Sequence, residues 1–183
     1  MAVIPFHRVN VLTGIKGARV IEDASEYAGF IRKAKRPLLV LGPLLSGLSL
    51  DGKLLIEYAL EIAKAGSIPI CATETVKGKM TELGVKPDNV CDAVEIVNHL
   101  KDPDWQGVRK EGNHDLVIFF GIRSDMEEQC LSVLKHFAYK HLRTMTIDKY
   151  YFPHANYSLP NFRKDEQWKG FLEELIANLK KEG

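Results

Sequence analysis

The chain has 183 residues, 45% of them hydrophobic and 27% charged, enough apolar content for one core of ordinary size. Its 25 Lys plus Arg nearly cancel 24 Asp plus Glu, leaving a formal net charge of +1, which excludes a global field that would gather nucleic acid or an anionic membrane. No run approaches the roughly 20 apolar residues that span a bilayer, and the start "MAVIPFHRVNVLTGIKG" lacks a basic stretch followed by a long apolar one, so it does not read as a signal peptide.

Along the chain, residues 1–17 show no clear period and are punctuated by Pro5, Gly14 and Gly17, which reads as an arm packed on the domain or on a partner. The remainder, 18–183, reads as a single α/β domain. From Asp23, "DASEYAGFIRKAK" offers an N-cap acid, Glu26 in capping-box position, and apolar residues at helical spacing. Arg36-Pro37 ends that helix, and "PLLVLG" follows as a continuous apolar run of the kind buried on both faces of a sheet. The stretch "DGKLLIEYALEIAKAG" predicts an amphipathic helix with Gly66 just past its end. Ser67 to Ala72 predicts a strand kept short by Pro69, which cannot donate to a ladder. Weaker helical patterns cover Glu74 to Leu83 and Asp92 to Leu100, separated and followed by polar, turn-rich loops. "DLVIFFG", Asp115 to Gly121, is the clearest strand; a helix over "SDMEEQCLSVLKHFAY", a partly alternating strand in "LRTMTID" and a helix from Asp165 to Lys181 complete the chain.

Strands separated by helices imply crossover units and a mainly parallel sheet with helices on both faces, a Rossmann-like three-layer sandwich. Ligands of such sheets sit beyond the carboxyl ends of the strands. In "GPLLSGLSLDG", Gly42 and Gly47, with Pro43 and Ser46, either bring backbone N–H groups close to a phosphate or end a strand and form a turn. The stretch matches neither G-x-G-x-x-G nor the P-loop pattern, because Leu48 stands at the P-loop lysine position. Thr73, Lys77 and Gly78 follow the second strand and offer hydroxyl, amine and backbone contacts. Gly121 and Arg123 follow the central strand, with an arginine able to fork onto a phosphate or carboxylate. Asp148 ends the last strand, where it could accept from a ribose hydroxyl or cap a turn.

Catalytic patterns are missing: His136 and His141 fall on different sides of a helix, and neither G-x-S-x-G nor H-E-x-x-H occurs. The three cysteines, Cys71, Cys91 and Cys130, are odd in number and far apart. They fit reduced thiols in a cytoplasmic protein, and cannot supply the thiolate set of an iron–sulfur cluster. Cys71, at a strand end, reads as a nucleophile or as a small buried hydrophobe. Aromatic side chains in loops, Trp105, Tyr150, Tyr151 and Phe152 with Tyr157 and Phe162, read as partner-interface anchors or as loop packing.

"IRKAKRPLLVLG", "KDPDWQG", "HDLVIFFG" and "TIDKYYFPHANYS", in that order, resemble the epsilon subunit of the archaeal acetyl-CoA decarbonylase/synthase complex. The resemblance runs from about Ala18 to the carboxyl terminus and is weakest in the arm. It implies a fold similar to the central domain of thiamine-diphosphate enzymes, in which a parallel sheet holds FAD or NAD at its carboxyl edge. It also implies association, two copies with two, with the nickel–iron–sulfur carbon monoxide dehydrogenase alpha subunit. The implied role is either to stabilise that subunit in the interconversion of CO and CO2 or to pass its electrons to FAD. Carried onto this chain, the dinucleotide loops fall on Gly42 to Gly47, Thr73 to Gly78 and Gly121 to Arg123, while the loop aromatics also suit a self-dimer.

Overall fold

In a computed structural model that describes residues 16–181, the two apolar runs become adjacent central strands, β2 (Pro37–Leu41) and β7 (Leu116–Phe120). Both point side chains to alternate faces of one sheet, so a run that is apolar at every position is what two buried faces require. Their register pairs Leu38 with Val117 and Leu39 with Ile118. The first pair feeds one core cluster and the second feeds the other. Each fully buried residue of this size contributes about 1.5–3 kcal/mol, so this strand pair outweighs any surface ion pair, typically worth about 1 kcal/mol or less.

Around them lies a seven-stranded sheet in the order β1-β9-β8-β7-β2-β5-β6, parallel throughout. The outer strands are β5 (Ile70–Ala72), β6 (Asn89–Val90), β8 (Arg143–Thr146), β9 (Tyr157–Ser158) and β1 (Arg19–Val20). Helices α1 (Ala24–Lys33), α2 (Leu55–Gly66), α3 (Glu74–Glu82) and α6 (Asp165–Lys180) bury residues in one cluster, and α4 (Ala93–Lys101) and α5 (Ser124–Phe137) in the other. The three-layer Rossmann-like sandwich expected from the sequence is therefore present. From β2 the chain builds outward through β5 to β6, then returns to the other side of β2 and builds through β7 and β8 to β9. The strand order reverses between β2 and β7, the position at which such sheets open a crevice.

Asp115 fixes the amino ends of the central pair. Its two oxygens accept the backbone N–H groups of Lys35 and Arg36, each at 2.8 Å, tying the entry of β2 to that of β7. Asp23 caps α1 as expected, accepting from the Ser25 N–H at 2.7 Å. Glu26 does not close the predicted capping box; it pairs with Arg19 of β1.

Several expectations need correction. The helix predicted from Asp51 begins at Leu55. Asp51 and Gly52 instead turn a hairpin between β3 (Ser49–Leu50) and β4 (Lys53–Leu54), both with positive φ, 52° and 79°, the conformation an Asp-Gly turn of two antiparallel strands adopts. Two-residue strands β6 and β9 occupy segments read as loops, too short to show a period. The arm expected over 1–17 lies, up to residue 15, outside the described residues.

At the carboxyl ends of β2 and β7 the backbones meet. A Cβ on Gly42 would stand 2.3 Å from the Gly121 carbonyl oxygen and 2.3 Å from the Ile122 nitrogen, closer than atoms can approach without a shift of main chain. Around Gly47 there is open space. Gly42→Ala should therefore cost about 1–3 kcal/mol, whereas Gly47→Ala should stay within about 0.5 kcal/mol. Urea denaturation of both variants checks this, and equal midpoints would contradict the close approach.

Candidate functional site

The contact between Gly42 and Gly121 organises the carboxyl edge. Gly42 donates its N–H to the Phe120 carbonyl at 2.8 Å and Leu44 to the Gly121 carbonyl at 3.0 Å, so the segment after β2 folds across the end of β7. It winds there into a 3-10 turn, Pro43–Ser46, closed by the Ser46 hydroxyl donating to the Pro43 carbonyl at 2.7 Å. Leu45 points inward and is fully buried; its Cγ lies 2.3 Å from where a Gly121 Cβ would stand. Gly121 has φ +77° and lacks that Cβ, and both features are needed for the chain to turn beneath Leu45.

Beyond the turn lies a cleft of about 390 Å³ with Leu44, Leu48, Asp148, Tyr150 and Trp168 in its wall. Asp148, just past β8, is partly exposed. Its two carboxyl oxygens share the Gly121 N–H, each at 3.1 Å. Trp168 on α6 donates its indole N–H to the Ile147 carbonyl at 2.9 Å, which holds the preceding residue in place.

Behind Asp148 sits Glu127 on α5, fully buried, and neither of its oxygens has a hydrogen-bond donor. Burial first, and the neighbouring Asp148 second, push the Glu127 carboxyl well above the usual carboxylate range. Burial likewise pushes Asp148 up to about 7, against the Gly121 N–H, which pulls it down. Two carboxyl groups so placed cannot both ionise cheaply, and their titration belongs to the pair rather than to either residue. The first turn of α5, where Glu127 sits, favours negative charge and offsets part of the cost.

The other sequence-level candidates fall elsewhere. Thr73 precedes α3, its hydroxyl enclosed and without a partner. The Lys77 ammonium pairs with Glu74 at 3.2 Å on the same helix, and Gly78 is exposed. Arg123, at the start of α5, turns onto Asp125. Burial pushes the Cys71 thiol up, and the neighbouring Cys91 adds to the shift, which disfavours a thiolate nucleophile at neutral pH.

Of the proposed interface aromatics, Phe152 is buried and Tyr151 anchors the chain by donating to the Ala18 carbonyl at 3.1 Å. Trp105 stacks on His99 with centroids 5.1 Å apart, and Tyr150 is 57% exposed. The structure thus brings Gly42, Pro43, Gly121, Asp148 and Tyr150 to one edge and leaves Thr73, Lys77, Gly78 and Trp105 out of the cleft wall. Glu127 was missed. Its signal was present, since Glu127, Cys130, Leu131 and Leu134 fall on one helical stripe, and all four are buried on α5.

Fold and edge together define a doubly wound α/β domain of the nucleotide-binding type whose crevice is occupied by its own backbone and by Leu45. The chain belongs to the family described as CO dehydrogenase beta subunit/acetyl-CoA synthase epsilon subunit, whose pattern matches residues 1–176. It is 37% identical to the acetyl-CoA decarbonylase/synthase complex subunit epsilon of Methanothermobacter thermautotrophicus over 96% of this chain and 95% of that one. It is 39% identical to subunit epsilon 1 of Archaeoglobus fulgidus over 83% and 80% of the two chains. The corresponding figures for subunit epsilon 1 of Methanosarcina barkeri are 34% over 91% and 92%. The resemblance seen in the sequence is the family membership found.

A dinucleotide would bring its pyrophosphate to close backbone at a helix N-terminus. The residues here do not fit one at that place. Gly42 and Gly121 are in contact, Leu45 covers them, and the Asp148 carboxyl holds the Gly121 N–H. The Leu54 N–H at the start of α2 is already given to the Glu57 carboxylate at 2.8 Å.

The carboxyl pair has a consequence for stability. Folding raises both groups, so the folded chain holds more protons than the unfolded one from the ordinary carboxylate range up to about 7 and above. Stability therefore falls as pH rises through that window. Glu127→Gln should flatten the fall by as much as about 1.4 kcal/mol per pH unit, measured by urea denaturation between about pH 5 and pH 8. An unchanged slope would show that the pair retains no proton.

Proposed function

We propose that this chain is an accessory subunit of an acetyl-CoA decarbonylase/synthase complex, and that it binds and steadies the nickel–iron–sulfur carbon monoxide dehydrogenase alpha subunit, two copies with two, during reversible CO oxidation. The observation that carries the reading is the closed crevice. Where a domain of this type would enclose a nucleotide, this one presents a shallow cleft and an exposed rim, which suits a surface for a partner better than a reaction chamber. Relatives named as subunits of that complex and covering nearly the whole chain support the same reading. Among the described residues no histidine, cysteine or carboxylate group of three could hold a metal, and no helix is long and apolar enough to cross a membrane.

The purified chain is expected to oxidise no CO, and removing it from its partner should lower the partner's thermal inactivation temperature; CO oxidation by the chain alone would overturn the proposal. The alternative role is an FAD-dependent relay, against which the close contact of Gly42 and Gly121 beneath Leu45 weighs. Titrating FAD into the isolated chain and following fluorescence polarisation should give no saturation at micromolar concentrations. Saturable binding would bring the electron-relay role back.

A further inference from the structure

The cleft at the carboxyl edge joins two features that a merely closed crevice would not need. Its wall carries Leu44, Leu48 and Tyr150, which are 37%, 49% and 57% exposed. These are three of the seven large hydrophobic side chains exposed among the described residues. Leu45, between the first two, is fully buried, so the same short turn that plugs the crevice turns its flanking leucines to solvent. Apolar side chains gathered on one rim mark a recognition surface more often than a solvated one.

The second feature is charge. Asp148 lines the cleft and is half-buried, with Glu127 enclosed behind it. Within the same wall Lys149 reaches the Asp165 carboxylate at 2.6 Å, and outside it Arg123 reaches Asp125. The cleft wall therefore carries two carboxyl groups against one ammonium, beside an apolar rim. That excess of acid favours an ammonium or guanidinium group over a phosphate or carboxylate, in a partly desolvated setting where such a contact is strong.

We propose that this cleft seats a protein segment that inserts one lysine or arginine onto Asp148 and lays flanking aliphatic or aromatic side chains on Leu44, Leu48 and Tyr150. The proposal rests on the accessory-subunit reading and adds to it the face used and the chemistry of the partner segment. A charged anchor ringed by apolar contacts that exclude water is a common arrangement of binding hot spots.

The test uses the full chain and the purified alpha subunit, with affinity read by titration calorimetry and each variant's fold by its thermal melt. Leu48→Asp should weaken association about tenfold. Asp148→Asn, which keeps an acceptor for the Gly121 N–H, should weaken it about thirtyfold and reduce its sensitivity to salt, a change that a purely structural role would not produce. Phe137→Ser, at the far end of α5 and 70% exposed in the starting chain, should change nothing. Unchanged affinity in both cleft variants, or weakening in the Phe137 variant alone, would overturn the cleft while leaving the accessory reading intact. An unaltered chain that fails to bind the alpha subunit would overturn the accessory reading and this proposal with it. Sedimentation of the isolated chain supplies a third arm: a dimer abolished by Leu48→Asp would assign the cleft to a second copy and overturn the proposal.

Discussion

Where β2 and β7 end, the backbones of Gly42 and Gly121 touch, and much of the carboxyl edge follows from that contact. Only two residues without Cβ atoms let the strands remain this close past their last ladder bond. Because they do, the chain after β2 must pass over β7 rather than rise into a helix, and it does so as the 3-10 turn that buries Leu45. The helix that would normally begin here is delayed until Leu55, with the Asp51-Gly52 hairpin filling the interval. In a nucleotide-binding domain the same space belongs to a phosphate; here the protein's own backbone and one leucine fill it.

The electrostatics of this edge are consistent with that geometry. The Gly121 N–H takes the Asp148 carboxyl as its acceptor. Asp148 in turn lies against the enclosed Glu127, and two carboxyl groups so close are more expensive than one. Replacing such a pair with apolar residues is often neutral or stabilising, so its presence is not explained by stability. A cation supplied from outside would favour the ionised form of Asp148. The pair and the apolar rim thus bear on the same side of the molecule, while the amino edge carries the basic last turns of α1, α2 and α6, which the negative ends of those helices already satisfy.

The sequence made the layer architecture legible because burial on two faces and amphipathic helices leave periodic signatures. "PLLVLG" and "DLVIFFG" could hardly be anything but central strands, and the stripe on α6 from Trp168 to Ile176 packs as its spacing requires. Short elements were harder. β6 and β9 have two residues each, and Asp51-Gly52 was read as a helix start although its turn chemistry was in plain view. Glu127 was overlooked because a charged residue on an apolar stripe is easily assigned to the solvent face next to it.

By itself the sequence determined the class of fold, the order of its main elements, the family, and the absence of a phosphate-loop lysine, since each depends on local pattern or on the residues present. The tertiary structure alone decided that Gly42 meets Gly121, that Asp148 backs onto Glu127, and that Leu45 is buried while Leu44 and Leu48 face solvent. The three leucines share one short stretch and one chemistry. Leu44 and Leu45 diverge because a 3-10 turn rotates successive side chains by about a third of a revolution, Leu48 lies past the end of that turn at Ser46, and only packing against the end of β7, distant in sequence, sets which of them turns inward.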